Sequence, residues 1–172
     1  MSAQYCSQEG RYSNGEFFSS IEIDSLKNST YGTAVNVLGK SQELFIDFYF
    51  PNNTLDTLSK RPFILLVHGG GFVGGNKEFH MTNLCKEFAK RGFVAATISY
   101  RLGFDPNILG DHAVAVYRAQ QDANAALRYT LENADAFKID PSWIFMGGSS
   151  AGSITSLMTA YGSQKEWNQF FP

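Results

Sequence analysis

Three continuous apolar runs constrain this 172-residue chain more than any other feature. Phe63-Ile64-Leu65-Leu66-Val67, Phe93-Val94-Ala95-Ala96-Thr97-Ile98 and Trp143-Ile144-Phe145-Met146 lack the polar alternation of a strand with one wet face, so each reads as a strand buried on both sides. Between them lie stretches with helical spacing. One runs from about Phe79 to Arg91, with Met81, Leu84 and Phe88 three and four residues apart and Gly92 placed as a C-terminal cap. A longer one runs from about Asp111 to Glu132, with Val116, Ala119, Ala123, Leu127 and Leu131 down one side. The Asp140-Pro141 step forces an extended turn before the third strand, and a last helix carries Ile154, Leu157, Met158 and Tyr161. Strands and helices alternate with elements too short to reverse without a crossover. That grammar predicts an α/β fold with a parallel sheet covered on both faces.

The first third of the chain reads differently. Turn residues such as Ser13-Asn14-Gly15 alternate with stretches like Leu44-Phe45-Ile46-Asp47-Phe48-Tyr49-Phe50, which suggest antiparallel strands. No repeat, low-complexity segment or linker divides the chain, and the length suits one domain. With 44% apolar and 17% charged residues the chain buries a core, which excludes disorder and coiled coil. Fourteen Lys and Arg against sixteen Asp and Glu, with no basic stripe, exclude nucleic acid as an expected partner. The longest apolar runs fall far short of the ~20 residues that span a bilayer, so no transmembrane helix is expected. Cys6 and Cys85 form no metal-ligand pattern; they are either inert thiols or a disulfide closing a loop of about 80 residues, worth roughly 2 to 4 kcal/mol. The Met1-Ser2-Ala3-Gln4 opening, the two cysteines and the aromatic content point to a secreted or periplasmic location, with cytoplasmic as the alternative. The sequons Asn28-Ser29-Thr30 and Asn52-Asn53-Thr54 matter only in a glycosylating host.

Chemistry concentrates in two glycine motifs. Gly148-Ser149-Ser150-Ala151-Gly152 fits G-x-S-x-G and falls between a predicted strand and a predicted helix, the context the motif requires. The spacing reflects crowding, since residues two before and two after the central serine must lack side chains for strand and helix to approach. Ser150 then projects its hydroxyl above the sheet, and the N–H of Ala151 points to where a carbonyl oxygen would become an anion. The same turn could also be a packed helix entry or a phosphate-binding turn, although neither G-x-x-x-x-G-K-[ST] nor G-x-G-x-x-G accompanies it. His68-Gly69-Gly70-Gly71-Phe72 follows an earlier buried strand. Its glycines can turn backbone N–H groups toward a substrate oxygen, while His68, at the base of the loop, is placed to brace the glycines rather than to move protons.

Together His68-Gly-Gly-Gly-Phe72, Ser99-Tyr100-Arg101-Leu102, Asp122 and Gly148-Ser-Ser-Ala-Gly152 resemble the α/β-hydrolase carboxylesterase and lipase family, near its hormone-sensitive-lipase-like branch, over about residues 31 to 162. The resemblance implies an α/β-hydrolase fold, a mostly parallel sheet covered by helices with its C-terminal strands missing, in a single incomplete domain. Residues 1–30 are then an N-terminal extension, and 31–172 run from the start of the sheet through the nucleophile helix. It also implies Ser150 as nucleophile, the N–H groups of Gly70, Gly71 and Ala151 as the oxyanion hole, Gly69 as a shaper of that loop, and His68, Gly148 and Gly152 in support. Tyr100-Arg101 and Asp122 match positions that mostly support structure. The implied partner is a small-molecule ester, with no metal or organic cofactor; oligomeric state is not legible.

The family's triad runs Ser, then Asp or Glu, then His along the chain. After Ser150 the only acid is Glu166, and all three histidines, His68, His80 and His112, come earlier. The chain is therefore expected to be the N-terminal part of a longer esterase with negligible turnover alone, its last strand exposing an apolar edge. The competing expectation gives the base's role to His80 or His112. Two other functions stay open: a non-catalytic binding protein on the same fold, and a serine hydrolase acting on an amide or peptide bond.

Overall fold

A computed structural model describes residues 10–170. A short 3-10 helix, Ser20–Glu22, leads into β1 (Ile23–Val35), β2 (Ser41–Pro51), β3 (Arg61–Val67), α1 (Met81–Lys90), β4 (Val94–Ile98), α2 (Asp111–Glu132), β5 (Ile139–Gly148), α3 (Ala151–Tyr161) and α4 (Gln164–Phe170). The five strands form one sheet in the order β1-β2-β4-β3-β5. β3 pairs parallel with β4 and β5, whereas β1-β2 and β2-β4 are antiparallel. The expected parallel unit and the expected antiparallel first third thus share a single mixed sheet. β1 starts at Ile23, so the sheet begins ahead of residue 31 and reaches into the stretch expected as an extension.

The parity of β2, β3 and β4 sorts the core into two layers. Phe48, Leu65 and Ala96 face α2, while Tyr49, Leu66 and Ala95 face α1, and all are essentially inaccessible. This is why β3 from Phe63 to Val67 is apolar at every position and β4 at every position but Thr97. Each fully buried large side chain contributes roughly 1.5 to 3 kcal/mol. Trp143-Ile144-Phe145-Met146 in β5, expected to be buried on both sides, is instead half-buried or exposed. Phe48 stacks on Phe137, with centroids 4.3 Å apart, closing the core beneath α2.

The helix ranges agree with the sequence reading, but the buried faces are rotated from it. α1 buries Met81, Cys85 and Ala89 and leaves Leu84 exposed. α2 turns Ala115, Ala119, Ala123 and Ala126 inward, leaving Leu131 exposed and Leu127 half-buried. Small side chains let a helix axis approach the sheet, so the close face is alanine-rich and the larger residues move to its flank. The Asp140-Pro141 step lies inside β5, where the pairing with β3 shifts register between Arg61 and Phe63. Proline has no ladder N–H, and the irregularity accommodates it. Cys85 is a free thiol on the buried face of α1, its pKa pushed up by burial; Cys6 and Met1-Ser2-Ala3-Gln4 lie outside the described residues.

One charged cluster pins the N-terminal part to the sheet. Arg11 binds both oxygens of Asp56, at 3.1 and 3.0 Å, and Arg61, fully buried at the start of β3, reaches the same carboxylate at 2.7 Å. At the other end of the sheet β5 pairs only with β3 among the described residues. Phe145, Ile154, Leu157 and Tyr161 are exposed along that side, the apolar edge the sequence anticipates.

Candidate active site

The parallel strands β4, β3 and β5 end level with one another: Val67 pairs with Ile98 on one side and Gly148 on the other. The loops leaving these ends, His68–His80 and Gly148–Ala151, therefore meet. Ser150 sits between β5 and α3 with φ 49° and ψ −117°, backbone angles costly for a residue with a side chain. Crowding holds it there. A Cβ on Gly148 would stand 2.6 Å from the Val67 carbonyl oxygen, and one on Gly152 would stand 2.0 Å from the same atom. Both glycines flanking the serine are thus required by the approach of α3 to β3. Ser153 Oγ donates to the Gly148 carbonyl at 2.6 Å, closing the turn, and Ser150 itself is exposed.

The glycine loop rests against this turn. A Cβ on Gly69 would be 2.8 Å from the Ser149 carbonyl oxygen and 3.2 Å from Ser150 Cβ, so only glycine lets the two loops touch. Gly70 has φ +127°, and a Cβ there would fall 2.0 Å from the Gly74 oxygen. The carbonyl of Gly70 accepts from the N–H groups of Val73 and Gly74 at 3.1 and 3.0 Å, folding the loop into a tight hook. The N–H groups of Gly70, Gly71 and Ala151 have no protein acceptor among the described residues. Ala151 is buried, with its N–H one of the orphan donors that begin α3.

His68 lies behind the loop. It is 1% exposed, its ring stacks on Tyr100 at 4.4 Å, and its Nδ1 meets the Gly69 carbonyl at 2.7 Å. Because a carbonyl only accepts, that bond assigns the proton to Nδ1. Burial lowers the His68 pKa against the opposing pull of the Gly69 bond, keeping the ring neutral. Tyr100 Oη donates to the His68 carbonyl at 2.9 Å. Arg101 and Asp122 lock the next loop, with Arg101 N 2.8 Å from the Asp122 carboxylate.

The other titratable residues separate clearly. His80 and Phe79 join Gly69, Gly70, Ser149 and Ser150 around a cavity of about 300 Å³. His112 lines a different groove, with Val116, Met158 and Trp167. Glu166 accepts from both N and Oγ of Ser163, at 2.7 and 2.9 Å, and its own N–H donates back to Ser163 Oγ at 3.3 Å, which makes Ser163 the N-cap of α4 and Glu166 its reciprocal partner; those bonds lower the Glu166 pKa. No group of three or more His, Cys, Asp or Glu that could hold a metal occurs among the described residues. One structural element escapes the sequence reading. Lys77, 5% exposed, binds Asp47 and Asn28 at 2.8 Å each and Glu78 at 3.0 Å, tying the downstream leg of the glycine loop to β2 and to the irregular stretch of β1. Asp47 and Asn28 lie 30 and 49 residues away in sequence, so no local pattern marks those two partners. The sequon residue Asn28 lies in β1, and although it is exposed its side-chain oxygen accepts from Lys77.

This sheet, with a serine turn and a glycine loop at the carboxyl ends of its parallel strands, is the α/β-hydrolase fold of esterases. The chain belongs to the BD-FAE family, whose model matches residues 46–170. It is 32% identical over 102 residues to gut esterase 1 of Caenorhabditis elegans, an alignment covering 56% of this chain and 17% of that protein. Bacterial heroin esterase superposes with a TM-score of 0.60 at 29% identity, covering 87% of this chain and 42% of the other. Esterase B of Lactobacillus Rhamnosis (HN001) superposes with a TM-score of 0.65 at 20% identity, over 87% and 43% of the two chains, a likeness of fold. The chain thus spans less than half the length of each of these relatives. No helix among the described residues is long and apolar enough to cross a membrane.

Proposed function

We propose that the protein is a serine carboxylic-ester hydrolase acting through an acyl-serine intermediate. The observation that carries this reading is the contact between the two glycine motifs: an exposed serine in strained geometry, with three unspent backbone N–H groups on the segments around it. Ser150 Oγ attacks the acyl carbon of a small-molecule ester. The carbonyl oxygen, now an anion, takes hydrogen bonds from Gly70, Gly71 and Ala151, each donor being worth roughly 2.7 to 4 kcal/mol in the transition state. The tetrahedral intermediate collapses, the alcohol leaves with a proton, and water releases the acid from Ser150. Gly69 shapes the loop, Gly148 and Gly152 admit the turn, and His68 braces the glycines. No cofactor enters the scheme.

The proton-moving histidine and its acid fall outside these 172 residues in this reading. Three observations support that. His68 is committed to Gly69, His112 and Glu166 line a separate groove, and the matched relatives are more than twice as long. The 172-residue chain alone is then expected to turn over esters about 10⁶-fold more slowly than the complete gene product, the loss that follows removal of a triad histidine. The test is hydrolysis of p-nitrophenyl butyrate by both, each with and without Ser150→Ala. Ser150-dependent turnover by the complete product alone supports the reading; Ser150-dependent turnover by the 172-residue chain, lost again in His80→Ala, gives the base's role to His80. Turnover by the complete product that survives Ser150→Ala refutes the nucleophile.

A further inference from the structure

The loop that offers Gly70 and Gly71 is made of backbone with little stiffness of its own. Five of the nine residues from His68 to Asn76 are glycine, the residue that loses most conformational freedom on ordering. Donors to an oxyanion must nonetheless be in place before the charge develops, because reorganising them at that moment forfeits the stabilisation. Each donor belongs to a planar trans peptide, so its N–H points opposite to the carbonyl of the preceding residue and is aimed by whatever holds that carbonyl. For Gly70 the carbonyl is that of Gly69, which His68 Nδ1 meets at 2.7 Å and against which Gly75 packs so closely that a Cβ there would fall 2.3 Å from the oxygen. For Gly71 it is that of Gly70, which accepts from the N–H groups of Val73 and Gly74 at 3.1 and 3.0 Å. Residues 73–75 are thus a stop behind both donors.

The stop is pinned at both ends. Upstream, Phe72 is buried and its carbonyl accepts from the Gly103 N–H at 2.6 Å. Downstream, Lys77 is gripped twice by neighbouring strands. Its carbonyl accepts from Thr97 Oγ1 at 3.4 Å, and its ammonium donates to Asp47 Oδ2 and Asn28 Oδ1 at 2.8 Å each and to Glu78 Oε1 at 3.0 Å. Glu78 is exposed and moves with the loop, whereas Asp47 and Thr97 are inaccessible cross-strand partners in β2 and β4. The second Asp47 oxygen takes the Asn28 N–H at 2.7 Å, so the anchor is itself fixed. A buried ion pair adds little stability over apolar side chains of the same volume; its distinctive contribution is direction. We propose that Lys77, held by Asp47 and Asn28, is a positioning residue for the oxyanion hole, fixing residues 73–75 and through them the directions of the Gly70 and Gly71 N–H groups. This deepens the ester-hydrolase reading and rests on it, since Ser150 and those donors must meet the same carbonyl.

The test uses the complete gene product, with p-nitrophenyl butyrate as substrate and propyl trifluoromethyl ketone as inhibitor, whose adduct with Ser150 carries an oxyanion. Lys77→Met with Asp47→Leu replaces the pair by apolar side chains. It is expected to lower kcat about 100-fold, the loss that follows a misplacement of ~1 Å, to leave KM within about twofold, and to weaken the ketone by the same factor as kcat/KM. Asn28→Gly removes one acceptor at an exposed position whose φ of 56° suits glycine, so the fold is kept; the same pattern is expected with kcat lowered about 5-fold. Arg11→Met breaks the bonds to Asp56 at the opposite end of β3 and controls for destabilisation alone, leaving kcat and the inhibition constant unchanged. Circular dichroism checks each fold, and if the pair variant does not fold, Asn28→Gly decides. An unchanged kcat in the folded variants, a rise in KM in place of a fall in kcat, an inhibition constant that stays put while kcat falls, or an equal loss in Arg11→Met overturns the proposal. Turnover that persists in Ser150→Ala removes the nucleophile and the ester-hydrolase reading with it; Ser150-dependent turnover that ignores Lys77 and Asn28 removes the positioning role alone.

Discussion

Replacing Gly152 with alanine sets two effects of opposite sign against each other. Gly152 is the second residue of α3, where alanine is the better helix former by about 1 kcal/mol. The added Cβ, however, would stand 2.0 Å from Val67 O, 2.6 Å from Val67 C and 2.8 Å from His68 O. These are backbone atoms at the end of β3 and cannot swing aside as a side-chain tip can. Carbon and oxygen come no closer than about 3.3 Å even in favourable contacts, so α3 and β3 must separate by roughly 1 Å. Overpacking of that kind costs about 3 kcal/mol. The net expectation is about 2 kcal/mol of destabilisation, which at roughly 2 kcal/mol per molar urea lowers the unfolding midpoint by about 1 M. Gly147→Ala is the matched control, because its Cβ would meet Leu66 Cδ2 at 3.6 Å, an ordinary contact. Urea titrations followed by circular dichroism and tryptophan fluorescence give both midpoints. An unchanged midpoint in Gly152→Ala refutes the crowding argument, and an equal fall in both variants refutes its assignment to the serine turn.

Three further outcomes are expected. Ser150→Gly relieves the positive φ and raises the melting temperature by about 2 to 4 °C, measured by calorimetry, while removing any Ser150-dependent hydrolysis. Lys77→Met strands the fully buried Asp47 carboxylate and destabilises by about 3 to 5 kcal/mol, whereas Lys77→Met with Asp47→Leu recovers much of the loss; a double-mutant cycle in urea measures the coupling. His68 has a folded pKa depressed by burial, so its contribution to stability is fully present above the unfolded value of about 6.5 and is lost as pH falls from there toward the folded value. His68→Asn is expected to flatten that part of the stability-pH curve, read from urea midpoints between about pH 7 and pH 5.

Much of the fold is legible in local sequence because its signals are local. The two-sided burial of β3 and β4 shows as unbroken apolar runs, and Gly92 ends α1 where a capping glycine belongs, its N–H bonded to the Ala89 carbonyl at 2.8 Å. The facing of α2 is not legible in the same way. Hydrophobicity favours Leu127 and Leu131 for the core, but the distance between α2 and the sheet favours Ala115 and Ala126, and that distance exists only in the folded chain.

The site divides along the same line. The sequence alone determined that a serine would stand at a glycine-flanked strand-to-helix turn and that a second glycine loop would leave another strand end, because each motif is a backbone requirement written in consecutive residues. Tertiary structure decided that these two turns touch, with Gly69 against Ser150, and that the loop is braced from behind by His68 on Tyr100 and from below by Lys77 on Asp47. It also placed His80, and neither of the other histidines, at the serine's cavity. Those relations join residues tens of positions apart, and they follow from the register of parallel strands, which no local pattern encodes.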